Sequence, residues 1–87
     1  MTELAVQWSR ADERVVVADG RRLRQVRYES GLSQERLAWQ SELGLTTVGR
    51  LERQLRSPCR AWTLGRLAAV LGQAPEKLLA VTEPDNG

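Results

Sequence analysis

Apolar residues recur at helical spacing through most of the chain. Val16 and Leu23 fall along one helical row, which predicts a first helix from about Asp12 to Glu29. Two features of this segment oppose a helix. The run Val15–Val17 favours a strand, and Gly20 costs a helix about 1 kcal/mol relative to alanine. The sequence therefore defines the start of the first helix less clearly than any other helix boundary.

The next two helices have clearer patterns. Ser33 is a suitable N-cap for a second helix, from Gln34 to about Leu43. A third helix is predicted from about Leu45 to Arg53, where Val48 and Leu51 lie three positions apart on the buried face. The second and third helices are thus joined by a very short turn.

The C-terminal part of the predicted domain contains a loop and two more helices. Residues 56–58 read as a loop. A fourth helix begins at Trp62 or Thr63, runs through Leu71 and ends at Gly72, and a short fifth helix covers 76–80. The prediction is an all-α, compact five-helix domain over residues 12–81, preceded by an N-terminal arm (1–11) and followed by a disordered tail (82–87).

Composition narrows the class of function. The chain has 87 residues, one cysteine and no histidine, which excludes an intrachain disulfide and a zinc site built from Cys and His. Without histidine the usual nucleophile–base pairs cannot be assembled, so we expect no enzyme, no metal and no cofactor. No apolar run reaches the roughly 20 residues that span a bilayer, and the N-terminus lacks a signal pattern. A cytoplasmic protein without a membrane partner is expected.

Positive charge is concentrated in the middle of the chain. The net charge is only +2, but residues 20–66 carry ten arginines against four glutamates, and twelve of the thirteen cations are arginine. The planar guanidinium suits phosphate oxygens and guanine edges. A solvated arginine-rich surface is the alternative interpretation, and Arg21, Arg22 and Arg24 in particular are expected to be solvated or to have intramolecular partners.

A set of spaced residues carries a family resemblance. It comprises Leu23-Arg24 with Arg27, the GLSQ of Gly31–Gln34, Leu37-Ala38, Val48 with Leu51-Glu52, Pro58, and the Leu64, Leu67, Ala68 and Leu71 pattern. This set resembles the helix-turn-helix family of the phage Cro and lambda repressors, also called the xenobiotic-response-element type. The chain departs from the family at Glu42 and Gln54, where glycine is usual, and at Gly44, where a serine or threonine N-cap is common.

The resemblance implies that the third helix reads the major groove, which is about 12 Å wide and admits one helix. With Val48 and Leu51 inward, the predicted base contacts are Leu45, Thr46, Thr47, Gly49 and Arg50. The predicted phosphate contacts are Gln34, which matches a family glutamine, and Arg53 and Arg56 just past the helix. Each of these could instead be an ordinary surface residue. Glu52 is expected to pair with an arginine of the first or second helix, and Cys59 to be inert.

The three tryptophans suggest a subunit interface, because tryptophan is enriched at interface hot spots. The predicted dimer contacts are Trp62, Leu78, Leu79 and Trp8. Additional local core around the N-terminal arm is the alternative. Trp39 stands beside the predicted buried Ala38, at a position that is usually polar in the family.

The resulting hypothesis is a sequence-specific DNA-binding transcriptional regulator, a repressor or autoregulator. It would bind a pseudo-palindromic operator in double-stranded DNA as a homodimer. This profile fits phage repressors, controller proteins of restriction–modification systems, and antitoxins. The alternative is a protein-interaction module, such as an antitoxin or adaptor, whose main partner is a toxin or another protein.

Overall fold

The computed structural model describes residues 12–81, so the arm 1–11 and the tail 82–87 lie outside the described residues. The described part contains α1 (Gly20–Glu29), α2 (Gln34–Ser41), α3 (Leu45–Arg53), α4 (Ala61–Leu71), the strands β1 (Val15–Ala18) and β2 (Ser57–Arg60), and a 3₁₀ helix (Pro75–Leu78). The fold is mostly helical with a small sheet. The predicted all-α class and the count of five helices are therefore wrong in detail.

The four α-helices share one hydrophobic core. Its buried members are Ala18, Leu23, Val26, Leu37, Ala38, Val48, Leu51, Leu64, Leu67, Ala68, Leu71 and Leu78. Burial of one such leucine stabilises the fold by about 1.5–3 kcal/mol. Helix α3 contributes Val48 and Leu51, both 0% exposed, so its rotation about its own axis is fixed. The predicted bounds and buried face of α3 are confirmed.

The first segment of the predicted first helix is a strand. β1 pairs with β2 in antiparallel register, from Val15 opposite Arg60 to Ala18 opposite Ser57. The β-branched valines fit a pleated strand better than a helix. The predicted helix start at Asp12 is therefore wrong, because the local preference for a strand finds a partner elsewhere in the chain.

The predicted loop at residues 56–58 is also wrong, since β2 begins at Ser57. Pro58 lacks an N–H group, and proline is tolerated in edge strands. On its other side β1 bonds to the segment after the 3₁₀ helix, with the Ala80 N–H donating to the Val17 carbonyl at 2.8 Å. β2 is thus an edge strand of this small sheet. The sequence of its four residues does not by itself predict that they pair with β1.

Helix α1 starts at Gly20, where the chain passes very close to the end of α3. The carboxylate of Asp19 caps the helix by accepting the Arg22 N–H at 3.0 Å. A Cβ atom on Gly20 would lie 2.0 Å from the Gln54 carbonyl oxygen and 2.3 Å from that of Leu51. The glycine that counts against a helix in the sequence is the residue that allows α1 and the end of α3 to touch.

Helix α2 ends at Ser41, two residues earlier than predicted, because Glu42 adopts the left-handed conformation with φ 62° and ψ 38°. The helix-turn-helix family that the sequence resembles usually has glycine at this position. The Glu42 carboxylate forms an ion pair with Arg66, and the Arg66 Nε also donates to the Ser41 carbonyl at 2.8 Å. The turn between α2 and α3 is therefore built from a strained glutamate with an electrostatic partner on α4.

We expect Glu42→Gly to raise the free energy of unfolding by about 1 kcal/mol, since a left-handed residue with a Cβ costs roughly 1–2 kcal/mol and an exposed ion pair contributes about 0–1 kcal/mol. Urea denaturation measures the change. Glu35→Gly, within the regular part of α2, is the matched control and should lower stability by roughly 1 kcal/mol. Two losses of equal size would contradict the assigned strain.

The C-terminal end of the described chain is less helical than predicted. Gly72 ends α4 with φ 70°, as predicted, and the 3₁₀ helix then occupies 75–78. Leu79 and Ala80 are extended, because they pair with β1 instead of continuing a helix. The predicted fifth helix over 76–80 is thus reduced to a single turn. None of the helices in the described region has the length and apolar character needed to cross a membrane.

Candidate nucleic-acid interface

The first turn of α3 is presented outward. Leu45 and Thr46 are exposed and Thr47 is half-buried, while Val48 and Leu51 hold the opposite face in the core. Leu45 exposes 45% of its surface. Methyl and hydroxyl groups of this kind can meet thymine methyl groups and base edges in a major groove. These three residues lie where the sequence predicted them.

Gly49 does not face outward as predicted, because two long side chains cover it. It is buried, and a Cβ at this position would lie 3.6 Å from Arg53 Nη1 and 3.9 Å from Gln34 Oε1. Helical periodicity correctly places Gly49 on the side of α3 that faces away from the core. Periodicity does not predict that side chains from other positions cover this glycine. Gln34 and Arg53 take its place at the surface.

Arg50 is half-buried and is held by β2. Its Nη1 donates to the Pro58 carbonyl at 3.2 Å, which leaves other guanidinium N–H groups available for a ligand. Thr47 and Arg50 also line a groove of about 460 Å³ between α3, β2 and the start of α4. The contact with Pro58 was not predicted, because residues 56–58 read as a loop.

A buried ionic network fixes α3 to α1 and α2. Arg27 donates from Nε to Glu52 Oε2 at 2.7 Å and from Nη2 to Oε1 at 2.9 Å. Gln34 Nε2 donates to the same Oε1 at 3.0 Å. The predicted pairing of Glu52 with an arginine of the first or second helix is confirmed. The hydrogen bond with Glu52 and the charge of that carboxylate also raise the pKa of Arg27, against the cost of burial.

Arg53 and Arg56 are both exposed but differ in their partners. Within residues 12–81, Arg53 makes no hydrogen bond or ion pair, whereas Arg56 Nη1 donates to the Val81 carbonyl at 3.1 Å. Both remain able to meet a phosphate oxygen. Arg53 is the less constrained of the two.

The predicted dimer residues fall into different environments. Leu78 is 0% exposed and belongs to the core, so its assignment to an interface is wrong; the 3₁₀ turn points it inward. Trp62 and Leu79 are half-buried, and the Arg66 guanidinium carbon lies 5.9 Å from the Trp62 ring centre. Trp8 lies outside the described residues.

Cys59 is partly buried in β2. Burial raises the pKa of its thiol, and the nearby positive charge of Arg50 only partly opposes this. A protonated thiol is a poor nucleophile and a poor metal ligand. No group of three or more Cys, Asp or Glu side chains in the described part of the chain is placed to hold a metal ion.

Comparison with known protein families gives one match that covers most of the chain. A model described as a helix-turn-helix domain matches residues 20–81. A search of curated protein sequences finds no match.

Solved structures that are similar to this chain include the following three. The restriction-modification controller protein C.AhdI from Aeromonas hydrophila is 40% identical with a TM-score of 0.63, over 69% of this chain and 89% of that one. A SinR protein/SinI protein complex gives 30% identity and a TM-score of 0.66, over 70% of this chain and 59% of that one. SinR, the master regulator for biofilm formation, in complex with DNA gives 28% identity and a TM-score of 0.62, over 66% and 90%.

Proposed function

The chain belongs to the helix-turn-helix family, and from this premise and the geometry of α3 we infer that it is a DNA-binding transcriptional regulator. The similar structures support this inference, since one is a restriction-modification controller protein and another is a biofilm regulator in complex with DNA. We propose further that it is a repressor or autoregulator rather than an enzyme. Its ligand is a pseudo-palindromic operator.

The observation that carries the proposal is the fixed orientation of α3. Val48 and Leu51 are wholly buried, so Leu45, Thr46 and Thr47 in the first turn are held toward solvent. We assign these three residues and Arg50 to base contacts, because the N-terminal part of a recognition helix meets the base edges. Gln34 and Arg53 cover Gly49, so we no longer assign Gly49 to the base contacts. Gln34, Arg53 and Arg56 remain assigned to phosphate contacts.

Arg50→Ala is expected to weaken operator binding by about 1–3 kcal/mol and to relax the preference at one base pair in each half-site. Fluorescence anisotropy on the operator recovered by selection from random DNA measures both effects. Arg22→Ala is the charge-matched control, since Arg22 is an exposed arginine on α1 and is not among the assigned DNA contacts. An equal loss on operator and random DNA would remove Arg50 from the base contacts.

We propose that the working form is a symmetric homodimer. One recognition helix reads only a few base pairs, and related proteins reach useful specificity by pairing across a two-fold axis. Such pairing requires a self-complementary patch. Among the described residues, Trp62 and Leu79 are the candidates that keep exposed surface.

Sedimentation equilibrium at micromolar concentration is expected to give a dimer, and Trp62→Ala is expected to raise its dissociation constant at least tenfold, as for a hot-spot tryptophan. Trp39→Ala is the matched control, because Trp39 is an exposed tryptophan on α2 and is not among the proposed dimer contacts. A wild-type monomer that keeps full affinity for a single half-site would contradict the dimer.

Trp39 favours a second candidate function. It exposes 74% of its surface, an unusual position for so large an apolar side chain, and a similar protein is recorded in a SinR/SinI protein complex. In this alternative the chain is an antitoxin-like or adaptor module that binds another protein. A gel shift on its own upstream DNA separates the two functions, because only the regulator gives a salt-dependent shift.

A further inference from the structure

A concave depression lies where α1, α2 and α3 meet. It has a volume of about 290 Å³ and is lined by Arg24, Arg27, Tyr28, Gln34, Glu52 and Arg53. We refer to it as the α1–α3 depression. Three of its six lining residues are arginines, and one is a carboxylate.

The carboxylate does not cancel the positive charge at the surface of the depression. Arg27 binds both oxygens of Glu52, and Gln34 donates a third hydrogen bond to it. Arg27 and Glu52 therefore neutralise each other beneath the surface, with side-chain exposures of only 6% and 2%. The charges of Arg24 and Arg53, both exposed, are left in excess.

Tyr28 places a hydroxyl group among these arginines. Tyr28 is 60% exposed, and the guanidinium carbons of Arg27 and Arg24 lie 4.6 Å and 5.8 Å from its ring centre. Interaction with the nearby guanidinium of Arg24, and secondly with that of Arg27, lowers the pKa of the Tyr28 phenol. The hydroxyl thus lies in a positive environment suited to an anionic ligand.

The depression adjoins the exposed face of α3. Thr46, Gly49 and Arg53 follow one another at i, i+3 and i+7, and so share one row of the helix. Gln34 and Arg53, which cover Gly49 in the middle of this row, also line the depression. When the first turn of α3 enters a major groove, the depression flanks the groove, where the phosphates of one strand run.

We propose that the α1–α3 depression binds one phosphodiester of the DNA backbone and that Arg24 and Tyr28 of α1 contact it together with Gln34 and Arg53. This inference rests on the proposed function and adds contacts from α1, where the sequence indicated only solvated or internally paired arginine. Arg24 supplies a charge-assisted hydrogen bond to a phosphate oxygen, and the Tyr28 hydroxyl donates a second bond.

Salt-dependent binding to the selected operator tests the proposal. Arg24→Ala is expected to weaken binding roughly tenfold at fixed salt, as a lost charge-assisted bond would, and to reduce the slope of log K against log salt by about one unit. Tyr28→Phe, which keeps the ring, should weaken binding and leave the slope unchanged. Arg22→Ala removes the same charge from the opposite side of α1 and should change neither. Equal effects of Arg24→Ala and Arg22→Ala would overturn the proposal.

Neutral methylphosphonate, placed at one backbone position at a time, locates the bound phosphate. For the wild type one position in each half-site should lose affinity, and the Arg24→Ala/Tyr28→Phe variant should be indifferent to that same position. A variant that remains as sensitive as the wild type there overturns the proposal. Inorganic phosphate replacing chloride at constant ionic strength should not compete; competition would make this a free-phosphate site.

The wild-type measurement separates the two levels of inference. If the wild type shows no salt-dependent DNA binding, the proposed function fails and the depression fails with it. If the wild type binds and Arg24→Ala has no specific effect, only the depression fails. Thermal unfolding of each variant shows that its fold is intact before binding is compared.

Discussion

Gly20→Ala is expected to lower the free energy of unfolding by about 3 kcal/mol, the upper end of the usual cost of overpacking. The new methyl group would lie 2.0 Å and 2.3 Å from two backbone carbonyl oxygens, of Gln54 and Leu51. Backbone atoms cannot rotate away, so α1 would have to separate from the end of α3. This cost exceeds the gain of about 1 kcal/mol that alanine normally brings to a helix.

The same substitution at Gly49 provides the control. A Cβ there meets only the ends of two flexible side chains, at 3.6 Å and 3.9 Å, so Gly49→Ala should raise stability by about 0.5–1 kcal/mol. Urea denaturation of both variants measures the contrast in sign. A Gly20→Ala protein as stable as the wild type would show that α1 and α3 are not in the close contact described.

Arg27→Met is expected to cost about 3–5 kcal/mol, because it leaves the Glu52 carboxylate buried without a counter-charge. Gln34 would be its one remaining side-chain donor in the described network. The double variant Arg27→Met/Glu52→Leu removes both charges and should recover most of this loss, since a buried ion pair can often be replaced by apolar groups at little net cost.

Arg60→Met is the matched surface control. Arg60 pairs with Glu13 at 3.8 Å, and the two side chains are 54% and 69% exposed, so the expected loss is at most about 1 kcal/mol. Equal losses for Arg27→Met and Arg60→Met, or a double variant no more stable than Arg27→Met alone, would contradict the assignment of the loss to an uncompensated buried charge on Glu52.

The features that could be predicted from the sequence are those set by local period and by the family pattern. Val48 and Leu51 define the buried face of α3, and the outward position of Leu45 and Thr46 follows from it. A pairing of Glu52 with an arginine of the first or second helix was expected, and that arginine is Arg27. In each case the information lies within one helix or one known motif.

The features that could not be predicted depend on distant parts of the chain. β1 and β2 pair residues such as Val15 and Arg60, 45 positions apart, so the strand preference of Val15–Val17 could not be turned into a strand without knowledge of its partner. From the sequence alone, Gly20 indicates a weakened helix. Its close contact with the Gln54 carbonyl group, which explains the glycine, is visible only in the folded structure. Leu78 reads as a surface candidate because a one-turn helix has no period from which its inward face can be deduced.

The outward exposure of the first turn of α3 has a consequence for how this protein can evolve. Substitutions at exposed positions usually change stability by less than about 0.5 kcal/mol. Leu45 and Thr46 can therefore vary with little effect on folding, while the buried Val48, Leu51 and Arg27–Glu52 network keeps the helix in place. New DNA preferences can arise by neutral drift at a few positions, so closely related copies in one cell could diverge to separate operators without losing their common scaffold.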